Sequence, residues 1–257
     1  LPREQKALLR SQSGPGAGAA LLAVPSSFPL RVPAHQFLAI LLRRLRLRLP
    51  HVGHSCRCGQ TLDTLGDHRA ACPRSGRLAK RGFALEAAVA RVCREAGGRV
   101  RRNLFLRDLV GLSNVEDSRR LEVVVDDLPL FGGTQLAIDA TLVSALRTDG
   151  TARPGAVTNN AEAAQAAEKR KRRTYPELLP QTGARARLVV FAVEVGGRWS
   201  DDAWSFVRQL AKAKAREAPA PLRLTAELTW RARWTGLLAV AAQRALAASL
   251  LGLEEGG

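Results

Sequence analysis

Residues 119–144 read RRLEVVVDDLPLFGGTQLAIDATLVS, and the fold of the whole chain follows from this stretch. Two short apolar runs, 121–125 and 136–143, lie on either side of a Gly-Gly turn. Short runs of β-branched and apolar residues that are bounded by turn residues are typical of β-strands. The stretch therefore predicts two neighbouring strands.

Each predicted strand carries an acid at a position that a buried strand normally fills with valine or isoleucine. Glu122 lies in the first run and Asp139 in the second. A buried, ionised carboxylate without a partner is strongly destabilising, so each acid requires a compensating group. A divalent cation is one such group. An arginine of this arginine-rich chain is the other, and the two strands alone leave both interpretations open.

The patterns on either side extend these strands into an α/β fold. We predict helices over 83–96, 161–175, 201–216 and 222–251, and further strands over 100–106 and 187–195. From residue 83 the predicted order is helix, three strands, helix, strand, helix, helix. That order favours one mixed central sheet flanked by helices.

Composition indicates a polyanionic partner. The 257 residues include 40 Lys and Arg against 23 Asp and Glu, a net charge of +17. Such an excess favours nucleic acid first and an anionic membrane surface second. We find no secretory signal and no apolar run of membrane-spanning length. The chain begins at Leu1 and contains no Met, so we expect it to be part of a longer polypeptide.

Four residues have the spacing of zinc ligands. Cys56, Cys58, His68 and Cys72 form the pattern C-x-C-x9-H-x3-C. Three thiolates and an imidazole are the ligand set of a tetrahedral structural zinc site, and zinc would hold so short a loop together. Cys93 lies in a predicted helix and is expected to be a core thiol. Cysteines this few and this clustered do not make a secreted disulfide framework and favour an intracellular, reducing setting.

The acidic strands of so basic a chain predict metal-assisted phosphodiester hydrolysis. Glu122 and Asp139 would hold Mg²⁺, which activates water and neutralises charge on the phosphate. Lys169 or Lys171, on the helix after the second acidic strand, would stabilise the developing charge. Glu86, on the preceding helix, would add a further ligand or an outer contact. The alternative is that the lysine- and arginine-rich run is a solvated surface.

These features together resemble the C-terminal region of non-LTR retrotransposon polyproteins. The resemblance covers roughly residues 45–202, and its most specific parts are the Cys/His spacing and the run GTQLAIDAT at 133–141. The chain is also similar to retroelement reading frames of dinoflagellates. In that family a zinc knuckle precedes a restriction-like endonuclease of the PD-(D/E)xK fold.

The resemblance implies a domain that nicks DNA and thereby primes reverse transcription at the target site. It implies DNA as the partner, with RNA as a second candidate, no membrane, and a reverse transcriptase elsewhere in the polypeptide. The resemblance also implies that the protein acts inside the cell, in the nucleus. The implied segments are a helical and linker segment at 1–50 (with the linker at 11–27), a CCHC-type zinc knuckle at 51–80, an endonuclease core at 81–218 and a C-terminal helical extension at 219–257.

By position, Glu122 matches the family's first acid and Asp139 its second. Thr141 stands where other PD-(D/E)xK nucleases have lysine, which in this family moves to the next helix and fits Lys169 or Lys171. Nucleic-acid contacts are expected from four residues close by: Arg170, Arg172, Arg173 and Tyr175.

The chain departs from the family pattern at two places. Leu-Glu replaces Pro-Asp at residues 121–122, and the first knuckle spacing is one residue instead of two. Asp126 or Asp127 is an alternative first acid. A module that binds nucleic acid without cleaving it, with its acids paired to arginines, is the competing function.

Overall fold

A four-stranded mixed sheet forms the centre of the computed structural model, which describes residues 1–50, 55–75, 77–109, 117–180 and 186–253. Its strands are β1 (Arg99–Phe105), β2 (Arg120–Asp126), β3 (Gln135–Val143) and β4 (Ala186–Glu194). The spatial order is β1-β2-β3-β4; β1–β2 and β2–β3 are antiparallel, whereas β3–β4 is parallel. The predicted mixed α/β class is confirmed.

The described part of the chain contains eight helices. They are α1 (Arg3–Ser11), α2 (Ala19–Leu22), α3 (Ala34–Arg44), α4 (Asp67–Ala71), α5 (Leu78–Glu95), α6 (Glu162–Thr174), α7 (Asp201–Ala215) and α8 (Arg223–Leu251). The parallel β3–β4 pair requires a crossover connection, and α6 lies within it.

Both faces of the sheet are covered, which explains the uninterrupted apolar runs. Val123 and Val125 pack on the side of α5, α7 and α8, while Val124 packs on the side of α6. All three valines are fully buried. Strands that are buried on both faces lose the alternation of a half-exposed strand.

The linker predicted at 11–27 is wrong, because this segment packs against the body of the protein. Residues 19–22 form α2, and the backbone N–H of Trp199 donates to the carbonyl of Pro15 over 3.0 Å. Gly16 lies so close to Trp199 that an added Cβ would be 2.4 Å from the indole ring. Small residues are therefore used here for close approach.

The C-terminal extension predicted at 219–257 contains a core helix. In α8 the Trp234 side chain is fully buried, and the Gln243 amide donates to the Val195 carbonyl over 3.2 Å. Residues 254–257 lie outside the described residues. By length and composition, Ala220–Leu251 is apolar enough to cross a membrane, which corrects our expectation, but 78% of its apolar window is buried inside the protein.

Candidate active-site cleft and metal centre

The two acids of the central strands lie on the same face of the sheet. Val123 of β2 pairs with Ile138 of β3, so Glu122 and Asp139 lie side by side one step further along the antiparallel pair. Their face is that of Val124, the one covered by α6. A shift of one residue in either strand would have placed the acids on opposite faces.

Lys171 of α6 reaches this face and contacts the second acid. Its Nζ lies 2.6 Å from Asp139 Oδ2, and the Asp139 side chain is only 2% exposed. The other oxygen, Asp139 Oδ1, is buried and has no hydrogen-bond partner among the described residues. Burial is the main reason that the pKa of Asp139 is raised, in spite of the nearby Lys171.

Glu122 is held by the backbone of the next strand. Its Oε2 accepts a hydrogen bond from the backbone N–H of Ala140 over 2.7 Å. Burial, followed by the nearby carboxylates of Asp139 and Glu86, raises the pKa of Glu122 to about 8. Burial and the neighbouring carboxylates therefore favour the neutral form of this side chain, and a nearby cation would favour the charged form.

Glu86 of α5 is the third acid of this group. Its Oε2 lies 3.6 Å from a terminal nitrogen of Arg102, a residue of the edge strand β1. Burial raises the pKa of Glu86, Arg102 opposes that change, and Asp139 adds to it. The three predicted acids are thus close enough to influence one another electrostatically.

An open cleft of about 490 Å³ gives access to the group. Glu86, Glu122 and Lys171 line it. Asp139 is not part of the lining and meets the cleft through its contact with Lys171. Arg153 also lines the cleft. Sequence reasoning missed Arg153, since it lies in a loop without a motif.

The remaining residues of the basic run are placed differently from one another. Arg170 lines the cleft, whereas Lys169 and Arg173 are exposed on α6. Arg172 forms an ion pair with Asp202. Of the two predicted lysines, only Lys171 contacts one of the strand acids.

Tyr175 is a correction to the predicted nucleic-acid contacts. Its side chain is buried beneath the sheet, and its hydroxyl donates to the carbonyl of Arg120 over 2.9 Å. The ring packs with the apolar residues between α6 and the sheet. An aromatic ring in the interior offers no exposed face for stacking on a base.

The Cys/His residues converge on one point, as their spacing predicts. The ligand atoms of Cys56, Cys58, His68 and Cys72 all lie within 4.8 Å of one another. Sγ of Cys56 lies 3.9 Å from Sγ of Cys72, and Sγ of Cys58 lies 3.2 Å from Nε2 of His68. Tetrahedral zinc with Zn–S bonds of about 2.3 Å requires S···S distances of roughly 3.8 Å. The cluster could hold a metal ion such as zinc.

The loop that carries these ligands is braced from outside. Nδ1 of His68 lies 3.0 Å from the carbonyl of Thr148, the kind of second contact that fixes the orientation of a ligating imidazole. Asp67, the residue before His68, forms ion pairs with Arg43 and Arg46 of 3.1 and 2.6 Å. These arginines thereby attach the ligand loop to α3 and the residues after it.

The segment that carries the Cys/His ligands, residues 56–72, also lies along the cleft that Glu86 and Glu122 line. Ala70, Ala71 and Pro73 line the cleft together with Glu122 and Lys171. Ala71 and Pro73 flank the ligand Cys72 directly, and Ala70 lies two residues before it. The two sites predicted separately from the sequence are therefore neighbours in space.

The sequence matches no protein-family model and no curated protein.

Proposed function

We propose that this chain is the DNA-nicking endonuclease domain of a retroelement protein. In this proposal it hydrolyses one phosphodiester bond with the help of Mg²⁺, and the nick primes reverse transcription at the target site. The observation that carries the proposal is the meeting of Glu122, Asp139 and Lys171, from two strands and a helix, beside one open cleft.

The arrangement of elements supports a restriction-like fold. A helix that carries Glu86 precedes three antiparallel strands, and the helix with Lys171 then leads to a parallel fourth strand. The family resemblance expects this order, with one acid on each of two adjacent strands. The zinc-type cluster upstream agrees with the same resemblance.

The acids also fit a hard divalent cation. Mg²⁺ prefers carboxylate oxygens and keeps several waters. Asp139 Oδ1 is an unpartnered carboxylate oxygen, and Glu122 uses only Oε2 in its hydrogen bond with Ala140. Bound there, Mg²⁺ would lower the pKa of a bound water and polarise the phosphate.

The residues of the chain have separate tasks in this reaction. The water oxygen forms a bond to phosphorus, the bond from phosphorus to one ester oxygen breaks, and the departing alcohol gains a proton. Lys171, a cation that lines the cleft, would stabilise the negative charge that develops on the phosphate oxygens. Its contact with Asp139 fixes the position of its ammonium group.

One observation favours the competing function, a module that binds nucleic acid without cleaving it. Lys171 already neutralises Asp139, and burial with the neighbouring carboxylates raises the pKa of Glu122 to about 8, which favours its neutral form. These two strand acids therefore need no metal ion to balance their charge. Binding alone would then follow from the net charge of +17.

Nicking of a supercoiled plasmid in the presence of Mg²⁺ tests the proposal. We expect the unmodified chain to convert supercoiled plasmid into the open circle, and Asp139→Asn to abolish this conversion. Asp127, an alternative first acid by sequence, lies just after β2, does not line the cleft, is 61% exposed and pairs with Arg99, so Asp127→Asn is the matched control. Equal nicking by both variants would overturn the proposal. Plasmid binding without nicking by the unmodified chain would establish the competing function.

A further inference from the structure

A short hairpin connects β3 to α6 at the side of the cleft. It spans residues 145–153, with an antiparallel bridge between Leu146 and Ala152. The backbone N–H of Arg153 donates to the carbonyl of Ala145 over 2.9 Å, which closes the base of the hairpin. Arg153 is therefore held by the backbone at the point where it lines the cleft.

The guanidinium of Arg153 is oriented but not neutralised. Its Nε donates to the carbonyl of Ser144 over 2.8 Å. Within the described part of the chain no salt bridge reaches Arg153, although other arginines form many. A guanidinium that is fixed through Nε still presents its terminal N–H groups, in the planar fork that matches two oxygens of a phosphate.

A second unneutralised cation lies on the same cleft. Arg170 of α6 lines the cleft, is exposed, and forms no salt bridge with any described residue. Burial, followed by the cations Arg170 and Arg147, lowers the pKa of Arg153. Arg153 and Arg170 are therefore close enough to repel each other, and an anion bound between them would reduce that repulsion.

We infer that Arg153 and Arg170 form a phosphate-binding subsite of the cleft, which holds a backbone phosphate of DNA beside Glu122. The inference rests on the proposed function and deepens it, because it names the group of the substrate that the chain grips. Neither arginine forms a salt bridge with a described residue, although Arg170 lies near enough to Asp139 to lower its pKa, whereas Lys171 on the same helix is paired directly with Asp139. The arginines are thus available for a ligand, while Lys171 serves the acids.

The salt dependence of DNA binding measures such a contact directly. Each phosphate contact contributes about −0.9 to the slope of log K against log salt concentration. We expect Arg153→Gln and Arg170→Gln each to make the slope less negative by roughly one contact. The measurement uses a fluorescein-labelled DNA duplex and the full chain, with Ca²⁺ in place of Mg²⁺ in every titration.

Two further variants separate a phosphate contact from a folding defect. Arg153→Lys keeps the charge, so we expect it to retain the slope of the unmodified chain while it binds more weakly. Arg208→Gln removes an exposed arginine of α7 that does not line the cleft, and we expect it to leave the slope unchanged. An unchanged slope in Arg153→Gln, or an equal change in Arg208→Gln, overturns the inference.

The inference and the proposed function fail in different ways. If the slope changes as expected but the unmodified chain never nicks plasmid with Mg²⁺, the subsite is supported and the nuclease is not. If the chain nicks plasmid but neither arginine affects the slope, the nuclease is supported and the subsite is wrong.

Discussion

Lys171 Nζ lies 2.6 Å from Asp139 Oδ2, and this contact joins α6 to the buried centre of β3. Lys169, two residues earlier on α6, is exposed and points elsewhere because two helical residues differ by about 200° in direction. Lys171 is therefore a cation beside the acids, and Lys169 is a matched cation on the same helix that lies away from them.

If the nuclease proposal holds, the two lysines differ strongly in their effect on nicking. We expect Lys171→Gln to lower the nicking rate by about 10²–10³-fold, the usual cost of removing one group that stabilises transition-state charge. Lys169→Gln is expected to leave the rate within a few fold. Plasmid nicking with Mg²⁺ measures both variants.

A stability measurement accompanies that comparison. Lys171→Gln leaves Asp139 buried without its cation, so we expect the variant to melt at a lower temperature than the unmodified chain. The double variant Lys171→Gln with Asp139→Asn removes the uncompensated charge and should regain part of the loss. Loss of nicking in Lys169→Gln alone would reverse the assignment of the two lysines.

Much of the sheet and the four helices α5 to α8 were predictable from local pattern. The predicted strand 136–143 differs from β3 by one residue, because a β-branched run between turn residues is a local signal. The start of α5 at Leu78, ahead of the predicted residue 83, was not visible, since residues 78–82 include Gly82 and two basic residues.

The candidate site was predictable only in part, for a physical reason. Glu122 and Asp139 stood out because a carboxylate in an apolar run is costly and so requires an explanation. Arg153 and Tyr175 carry no such signal, and tertiary packing alone decides that one lines the cleft and the other is buried. Arg43 likewise reads as a surface cation, but it is 5% exposed because Asp67 pairs with it.

Loss of a single ligand should release the metal from the Cys/His cluster. We expect the unmodified chain to contain about one zinc per molecule and Cys72→Ser to contain much less, because structural zinc sites require four ligands. Elemental analysis of the purified proteins measures this. Cys93→Ala is the matched control, since burial in α5 raises the pKa of Cys93 to about 12 and keeps it a neutral thiol.

Metal removal should also destabilise the hairpin of residues 145–153 beside the cleft. The Thr148 carbonyl at the tip of the hairpin contacts Nδ1 of His68, whose Nε2 faces the cluster. In Cys72→Ser we expect faster hydrogen exchange at the hairpin amide of Arg147, which donates to Thr151 in the intact structure. Unchanged exchange there would show that the hairpin does not depend on the metal.

Glu95 should make stability depend on pH in the acidic range. Burial raises the pKa of this carboxyl, but hydrogen bonds from Arg233, Arg91 and Trp234 outweigh burial and hold the pKa below its ordinary value. A lowered pKa in the folded state means that the stabilisation is present above the unfolded pKa of about 4.3 and is lost as the pH falls through the folded pKa.

Removal of that charge gives the corresponding mutational prediction. We expect Glu95→Gln to lower the free energy of unfolding at pH 7 by about 2 kcal/mol, the usual scale for hydrogen bonds to a charged group. The loss should shrink as the pH is lowered, because the unmodified carboxyl then becomes neutral too. Urea unfolding at several pH values measures it.

An exposed acid of similar sequence context is the control for Glu95. Glu217 pairs with Lys214 but is 64% exposed. We expect Glu217→Gln to change stability by less than about 0.5 kcal/mol at any pH, as is usual for a surface pair. An equal loss of stability in Glu217→Gln and Glu95→Gln would show that net charge sets the effect, and not the hydrogen bonds that join Glu95 of α5 to α8.

The packing of the N-terminal segment depends on one glycine. Gly16 has a φ of +77°, and a Cβ at this position would lie 2.4 Å from the Trp199 ring, which is fully buried. Both the left-handed backbone and the clash oppose any larger residue, so we expect Gly16→Ala to lower the free energy of unfolding by about 2 kcal/mol or more. Gly18 has a negative φ of −93°, and the nearest atom to an added Cβ is 3.8 Å away. Gly18→Ala should therefore leave the free energy of unfolding almost unchanged, as measured by urea unfolding. An equal fall in the free energy of unfolding in both variants would show that the close contact between Gly16 and Trp199 does not set the effect.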